Sequence, residues 1–247
     1  MKYALVTGAS SGLGKEFAKA LSKKYNLILV ARREDKLVEL SKELDCHCLC
    51  LVCDLSKEEN CFKLLEKCKG YDIEICINNA GFGQLGDFVD TDIHRDLQMI
   101  NVNVKAMHII CKGMLQQMKD GSILNVASSA GLLPAGPHMS TYYASKAYIT
   151  SLTQSIAQEL KEKKSKCYVG CLCPGPVNTE FNDVAQVQFA LKGMRARDCV
   201  DYALKEMEKK TVVIIPTFLM KSVSVLSKMA PKDLVVSMTS YQQKKKM

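Results

Sequence analysis

YALVTGASSGLG, residues 3–14, runs five mostly apolar residues straight into a loop with glycines at 8, 12 and 14. A short apolar run stopped by glycine reads as a buried strand. The stretch that follows, KEFAKALSKK, has helical periodicity, so the glycines open a helix at the end of a strand. At such a junction the free backbone N–H groups and the helix dipole can receive a diphosphate, and glycine lets the backbone come close to it. Three glycines are weak evidence in an arbitrary turn. Placed at residue 7 of a strand–loop–helix unit, they are much stronger.

The rest of the chain keeps the alternation. Strand-like runs fall at 3–7, 27–31, 46–53, 73–78, 122–128, 166–173 and 212–215. Helix-period stretches lie near 13–24, 34–44, 57–69, 92–118, 142–163 and 198–209. Strands apolar on both faces, each followed by a helix, indicate right-handed βαβ units in a parallel sheet. The expected fold class is therefore α/β: a single Rossmann-type doubly wound domain with a seven-stranded, mostly parallel sheet flanked by helices. No Gly-, Pro- or Ser-rich linker divides the chain, and no internal repeat is seen. Residues 1–216 read as the dinucleotide-binding catalytic domain. Residues 217–247 read as a helical extension packed on it, ending in a basic tail. In that extension Leu219, Ser222, Val223, Leu226 and Met229 form an amphipathic pattern before Pro231. Such a helix packs on the domain, lines a substrate cleft or sits in a subunit interface.

Composition narrows the function classes. The 247 residues are 47% hydrophobic and 24% charged, as in ordinary soluble proteins. No apolar run approaches the ~20 residues of a membrane span, and MKYALVTGAS has no signal-peptide core. A cytoplasmic protein without a membrane partner is expected. The net charge of +8 comes from lysines interleaved with acids, tryptophan is absent, and aromatics total 6%. That pattern argues for solvated helix faces and against a nucleic-acid partner. Twelve cysteines stand out. In CHCLCLVC, Cys46, Cys48 and Cys50 alternate along a strand-like run with His47 on the other face. Structural zinc favours Cys-x-x-Cys turns instead, so the reading is small buried hydrophobes, no metal and a reducing compartment.

The residues that carry chemistry begin with TYYASK, 141–146. Tyr142 and Lys146 are one helical turn apart and share a face. The spacing recurs at Tyr241 and Lys245, in a stretch that reads as a solvated basic tail, so context must decide between them. In context, Thr7-Gly8 with Gly12 and Gly14, Asn78-Asn79-Ala80-Gly81, Asn103 in NVNVKA, Ser128 in NVASSAG, Tyr142 with Lys146, and Pro174-Gly175 with Val177 and Thr179 follow one another in order. In order and spacing, the chain from Lys2 to about Pro216 resembles the short-chain dehydrogenase/reductase family. Two assignments have neighbours in competition. Asn103 is preferred to Asn101 for its Asn-x-x-Ala spacing. Ser128 is preferred to Ser129 for its Ser-x-x-Gly spacing to Gly131.

The resemblance implies hydride transfer between a nicotinamide cofactor and a carbonyl or secondary alcohol. Tyr142 is the general acid/base. A free tyrosine, with a pKa near 10, holds its proton too tightly to act as a base at neutrality, and the Lys146 cation is expected to lower that value. Lys146 also binds the nicotinamide ribose, Ser128 holds the substrate oxygen, and Asn103 distorts its helix and holds a water leading to Lys146. Gly8, Ser10, Ser11, Gly12, Leu13 and Gly14 form the diphosphate loop. Asp54 and Leu55 border the adenine, Asn79, Ala80 and Gly81 border the cofactor, and Pro174, Gly175, Val177 and Thr179 reach the carboxamide end. LILVARRED has Ala31 where NAD-dependent relatives carry an acid, then Arg32 and Arg33, whose guanidinium groups suit a 2′-phosphate. NADP(H) is the expected cofactor.

Phe82, Gly83, Leu85, His138, Met139, Phe181 and the 182–195 segment are expected to border a mostly apolar substrate pocket. The alternative to an enzyme is a non-catalytic NADP(H)-binding sensor on the same fold. The resemblance also implies a homo-dimer or homo-tetramer through the long helices near 92–118 and 142–163.

Overall fold

The structure, a computed structural model, describes residues 2–181, 185 and 193–246. Seven strands form its sheet: β1 (Tyr3–Thr7), β2 (Asn26–Ala31), β3 (Cys48–Val52), β4 (Ile73–Asn78), β5 (Ser122–Val126), β6 (Tyr168–Leu172) and β9 (Val213–Ile214). A separate two-stranded ladder pairs β7 (Val177–Asn178) with β8 (Met194–Arg195). The strand order in the large sheet is β3-β2-β1-β4-β5-β6-β9, and every pairing is parallel. The chain starts at the centre, winds out to β3, then returns to lay β4 on the other side of β1. That reversal leaves a crevice beyond the carboxyl ends of β1 and β4, where doubly wound sheets bind ligands.

Helices cover both faces: α1 (Gly12–Leu21), α2 (Glu34–Lys42), α3 (Glu58–Cys68), α4 (Ile93–Ile100), α5 (Met107–Gln117), α6 (Ser140–Glu162) and α7 (Ala196–Glu208). One core lies between the sheet and α1, α2 and α7, around Phe17, Leu29 and Leu37. The other lies under α3, α5 and α6, around Leu5, Ile110 and Ile123. Strand β2 is buried throughout, which explains its unbroken apolar run. At the edge, β3 alternates: Cys46, Cys48 and Cys50 pack on the first core, Leu49, Leu51 and Cys53 on the second. All twelve cysteines are free thiols.

The stretch expected as one helix over 92–118 is α4 and α5 joined by a π-helical turn, Asn101–Ala106. Asp92 caps its start by accepting a hydrogen bond from the His94 backbone N–H.

The C-terminus departs from expectation. Beyond α8 (Phe218–Met229), the basic tail is a second helix, α9 (Lys232–Lys244). Its inward positions, Val235, Thr239 and Gln243, recur every four residues, but two of them are polar. The helical period is therefore invisible to a reading based on apolar spacing.

Candidate active site

Gly8 and Gly12 adopt φ of +66° and +53°, in the left-handed region open to glycine. Space excludes a side chain as well. A Cβ on Gly8 would lie 2.8 Å from Asn79 Nδ2, and one on Gly14 would lie 2.1 Å from the Gly8 carbonyl oxygen. Gly14 is thus a packing position that seats α1 against the end of β1. Asn79 closes the crevice from the other side. Its Nδ2 donates to the Thr7 carbonyl at 2.9 Å, while the Asn79 and Ala80 N–H groups donate to Thr7 Oγ1 at 2.9 and 3.0 Å.

A cavity of about 910 Å³ opens above this junction. Of the residues expected to hold a cofactor, all except Gly14 line it, from Ser10, Ser11, Arg32 and Arg33 at one end to Tyr142, Lys146 and Thr179 at the other. The amino end of α1 points at it without a side-chain cap from Ser11 and without an acid in its first turn. Uncapped N–H groups, two glycines with no room for a Cβ, and two arginines together fit a phosphorylated dinucleotide. Arg33 is held in place: it donates to Ser10 Oγ at 3.2 Å and pairs with Glu180 at 2.9 Å.

The reactive groups meet at the other end of the cavity. Ser128, which leaves β5, lines the cavity beside Tyr142 of α6 and caps the next turn by accepting from the Ala130 N–H at 3.2 Å. Ser129 donates its backbone N–H to the Pro174 carbonyl at 2.8 Å, and both serines line the cavity. The Lys146 ammonium donates to the Val126 carbonyl at 2.8 Å and lies 5.7 Å from the Tyr142 ring centroid. Asn103 is fully buried on the π turn. Its Oδ1 accepts from the Phe82 N–H at 3.0 Å, and its Nδ2 donates to the Phe82 carbonyl at 2.9 Å and to Ser145 Oγ at 3.1 Å. Asn101 is only partly buried. A Cβ on Gly81 would sit 2.9 Å from Asn103 Oδ1 and 3.4 Å from Lys146 Nζ. The turn after β4 therefore packs on both.

One electrostatic expectation is corrected. Burial pushes the Tyr142 phenol well above its ordinary value, and the nearby Ser128 hydroxyl only partly offsets this. Burial likewise lowers Lys146 to about 8. Both groups are removed from water, so desolvation opposes charge on each and outweighs the attraction expected between lysine and phenolate.

Phe82, Met139 and Phe181 line the cavity, and Gly83 packs behind Phe181 and Tyr142. Leu85 packs in the small cluster formed by Met99, Met139, Tyr142 and Tyr143. His138, at φ +64°, bonds Asp87 through Nδ1 and Ser240 Oγ through Nε2 at 3.1 Å. It ties the substrate loops to α9 and does not line the cavity. Within the 182–195 segment, residues 182–184 and 186–192 lie outside the described residues, and Ala185 is buried in the same small cluster. Leu219, Val223 and Leu226 of α8 close the outer side, the cleft-lining placement among those open to the amphipathic helix. Val235, Met238 and Thr239 of α9 join them and were missed from the sequence. The buried Gln243 side chain donates to the Tyr143 hydroxyl. Glu180, the partner of Arg33, carried no signal in the sequence either.

A parallel doubly wound sheet with a serine–tyrosine–lysine group beside its crevice defines a class of α/β oxidoreductases. The family model for short chain dehydrogenases matches residues 2–188, and the chain belongs to that family. It is 38% identical over 175 residues to a very-long-chain 3-oxoacyl-CoA reductase of Kluyveromyces lactis, covering 64% of this chain and 50% of that protein. The chain thus spans about half the length of the yeast reductase and of its Neurospora crassa counterpart. An uncharacterized oxidoreductase of Staphylococcus epidermidis is 31% identical, with 83% of this chain and 91% of that protein covered. Among solved structures, a Sphingobium yanoikuyae short-chain dehydrogenase in complex with NADPH superposes with a TM-score of 0.80 at 27% identity, over 94% and 97% of the two chains. A bulky-bulky ketone specific alcohol dehydrogenase from Comamonas testosteroni gives 0.76 at 26% identity, over 94% and 96%. Among the described residues, no helix is long and apolar enough to cross a membrane.

Proposed function

We propose that the chain is an NADP(H)-dependent oxidoreductase acting on a ketone or secondary alcohol with an apolar body. The observation that carries this reading is the grouping of Ser128, Tyr142 and Lys146 in the same cavity as the glycine loop. The nicotinamide ring would supply or accept the hydride. In reduction, Tyr142 gives its proton to the carbonyl oxygen while the Ser128 hydroxyl holds that oxygen and shares its developing charge. Lys146 then steadies the phenolate, and Asn103 keeps the turn at Phe82 in position against Lys146. Arg32 and Arg33 would take a 2′-phosphate, and Asp54 the adenosine end. The NADPH complex of the Sphingobium dehydrogenase supports this choice of cofactor, and the ketone enzyme of Comamonas supports the substrate class. Ile93, Leu97 and Tyr148 are exposed on α4 and α6, which supports pairing of these helices in a homo-dimer or homo-tetramer.

The test follows NADPH and NADH oxidation across a panel of ketones with Tyr142→Phe beside the unmodified protein. Turnover with NADPH, reduced about 10²- to 10⁴-fold in the phenylalanine variant, is expected. Equal activity in that variant sinks the mechanism. Nucleotide binding with no turnover on any ketone moves the reading to a sensor.

A further inference from the structure

The charge of this chain is concentrated where its apolar surface is. Between Thr217 and Lys246, six lysines stand against one acid, Asp233, a net +5 out of the chain's +8. The same segment exposes large apolar side chains. On α8, Phe218, Val225 and Met229 recur at helical spacing and are 85%, 59% and 80% exposed. On α9, Leu234, Met238 and Tyr241 are exposed on the next helix, one position off the inward row of Val235 and Thr239. Two consecutive helices thus each turn one side to the cavity and present a second apolar side to solvent, rimmed by lysines.

We propose that α8 and α9 together form a docking surface for an anionic lipid bilayer, with the helices lying on the membrane and not crossing it. An interfacial helix needs an apolar face about this deep and a basic rim, and it needs neither the length nor the overall hydropathy of a span. Charge complementarity selects the occupant. With Lys246 turned to the cavity, the exposed face keeps five lysines against Asp233, so a second copy placed on it would set one +4 surface against another, whereas acidic headgroups neutralise the lysines. The cavity rim lies on the same side, since Leu219, Leu226 and Met238 both line the cavity and stand exposed. The sequence reading, which expected no membrane partner, excluded spanning segments only. This inference does not depend on the redox reading.

The test is flotation of the whole chain with vesicles of phosphatidylcholine alone, or with one quarter phosphatidylglycerol. Binding to the anionic vesicles that weakens with salt, and little binding to neutral ones, is expected. Each lysine near a charged surface is worth about fivefold in partitioning, so Lys228→Glu with Lys232→Glu weakens binding by at least about 25-fold. Phe218→Gln with Met229→Gln abolishes co-flotation at moderate salt. None of these four side chains lines the cavity, and an unchanged melting temperature confirms that each variant is folded. No flotation with anionic vesicles, equal flotation of all variants, or equal binding to neutral vesicles overturns the proposal. So does a dimer that falls to monomer only in the Phe218/Met229 variant and never floats, which would make the face a subunit interface.

Discussion

Lys146 and Tyr142 illustrate how burial changes a role read from spacing. Both sit in a dry site, Tyr142 with its proton held firmly and Lys146 titrating near 8. Below that pH Lys146 carries the charge that steadies a phenolate, and above it the charge is lost. Reductive kcat/KM should therefore fall as pH climbs through about 8. A pH profile checks this, and Lys146→Met should remove the fall near 8. At the far end of the cavity, Arg33 shares its guanidinium between Ser10 and Glu180. The pair with Glu180 is solvent-exposed and worth at most about 1 kcal/mol, so a 2′-phosphate can displace it. Removing one charge-assisted contact costs about 1.5–3 kcal/mol. Arg33→Ala should accordingly raise KM for NADPH by about tenfold or more and leave KM for NADH nearly unchanged, as read from initial rates with both cofactors.

Among the elements, α6 packs tightly against the short 3₁₀ turn after β5 (Ser129–Leu132). A Cβ on Gly131 would lie 2.4 Å from the Lys146 carbonyl oxygen and 2.7 Å from Thr150 Oγ1. The backbone oxygen cannot yield without moving the helix that carries Tyr142 and Lys146. Gly131→Ala should lower stability by about 1–3 kcal/mol and depress kcat as well, measured by thermal melting and single-turnover rates. The π turn at 101–106 is a comparable device. Its extra residue per turn points Asn103 at the loop after β4 while the helix continues on either side. The sequence marked Asn103 through its Asn-x-x-Ala context. Helical periodicity over 92–118 had no means of marking the distortion, because apolar spacing survives it.

Across the whole molecule, buried thiols shape the response to alkali. Burial raises Cys61, Cys68 and Cys199 from 9.0 to about 12. Below 9 the folded and unfolded chains both keep these protons. Above it the unfolded chain releases them and the folded chain does not, so the stability they contribute is lost between 9 and about 12. The slope approaches about 1.4 kcal/mol per pH unit for each such thiol. Lys146 works the other way, favouring the folded state as pH rises from about 8 towards 10.5, but the thiols outnumber it. Melting temperature in the presence of a reductant should hold to about pH 9 and then fall steeply. Cys199→Ala should soften the fall.

Local chemistry was enough to place the strands and the glycine junction, and the order of motifs along the chain singled out the candidate reactive residues. A strand buried on both faces must be apolar throughout, a tight approach to a phosphate must use glycine, and a tyrosine steered by a lysine must sit one turn from it. These constraints act within a few residues and leave their mark in the chain. Contacts between distant segments leave none. Gln243 reaches Tyr143 from a hundred residues away, Glu180 meets Arg33 across the cavity mouth, and α9 buries polar side chains that no apolar pattern betrays. The ionisation of Tyr142 belongs with them, because the water excluded from its site is excluded by every element around the cavity at once.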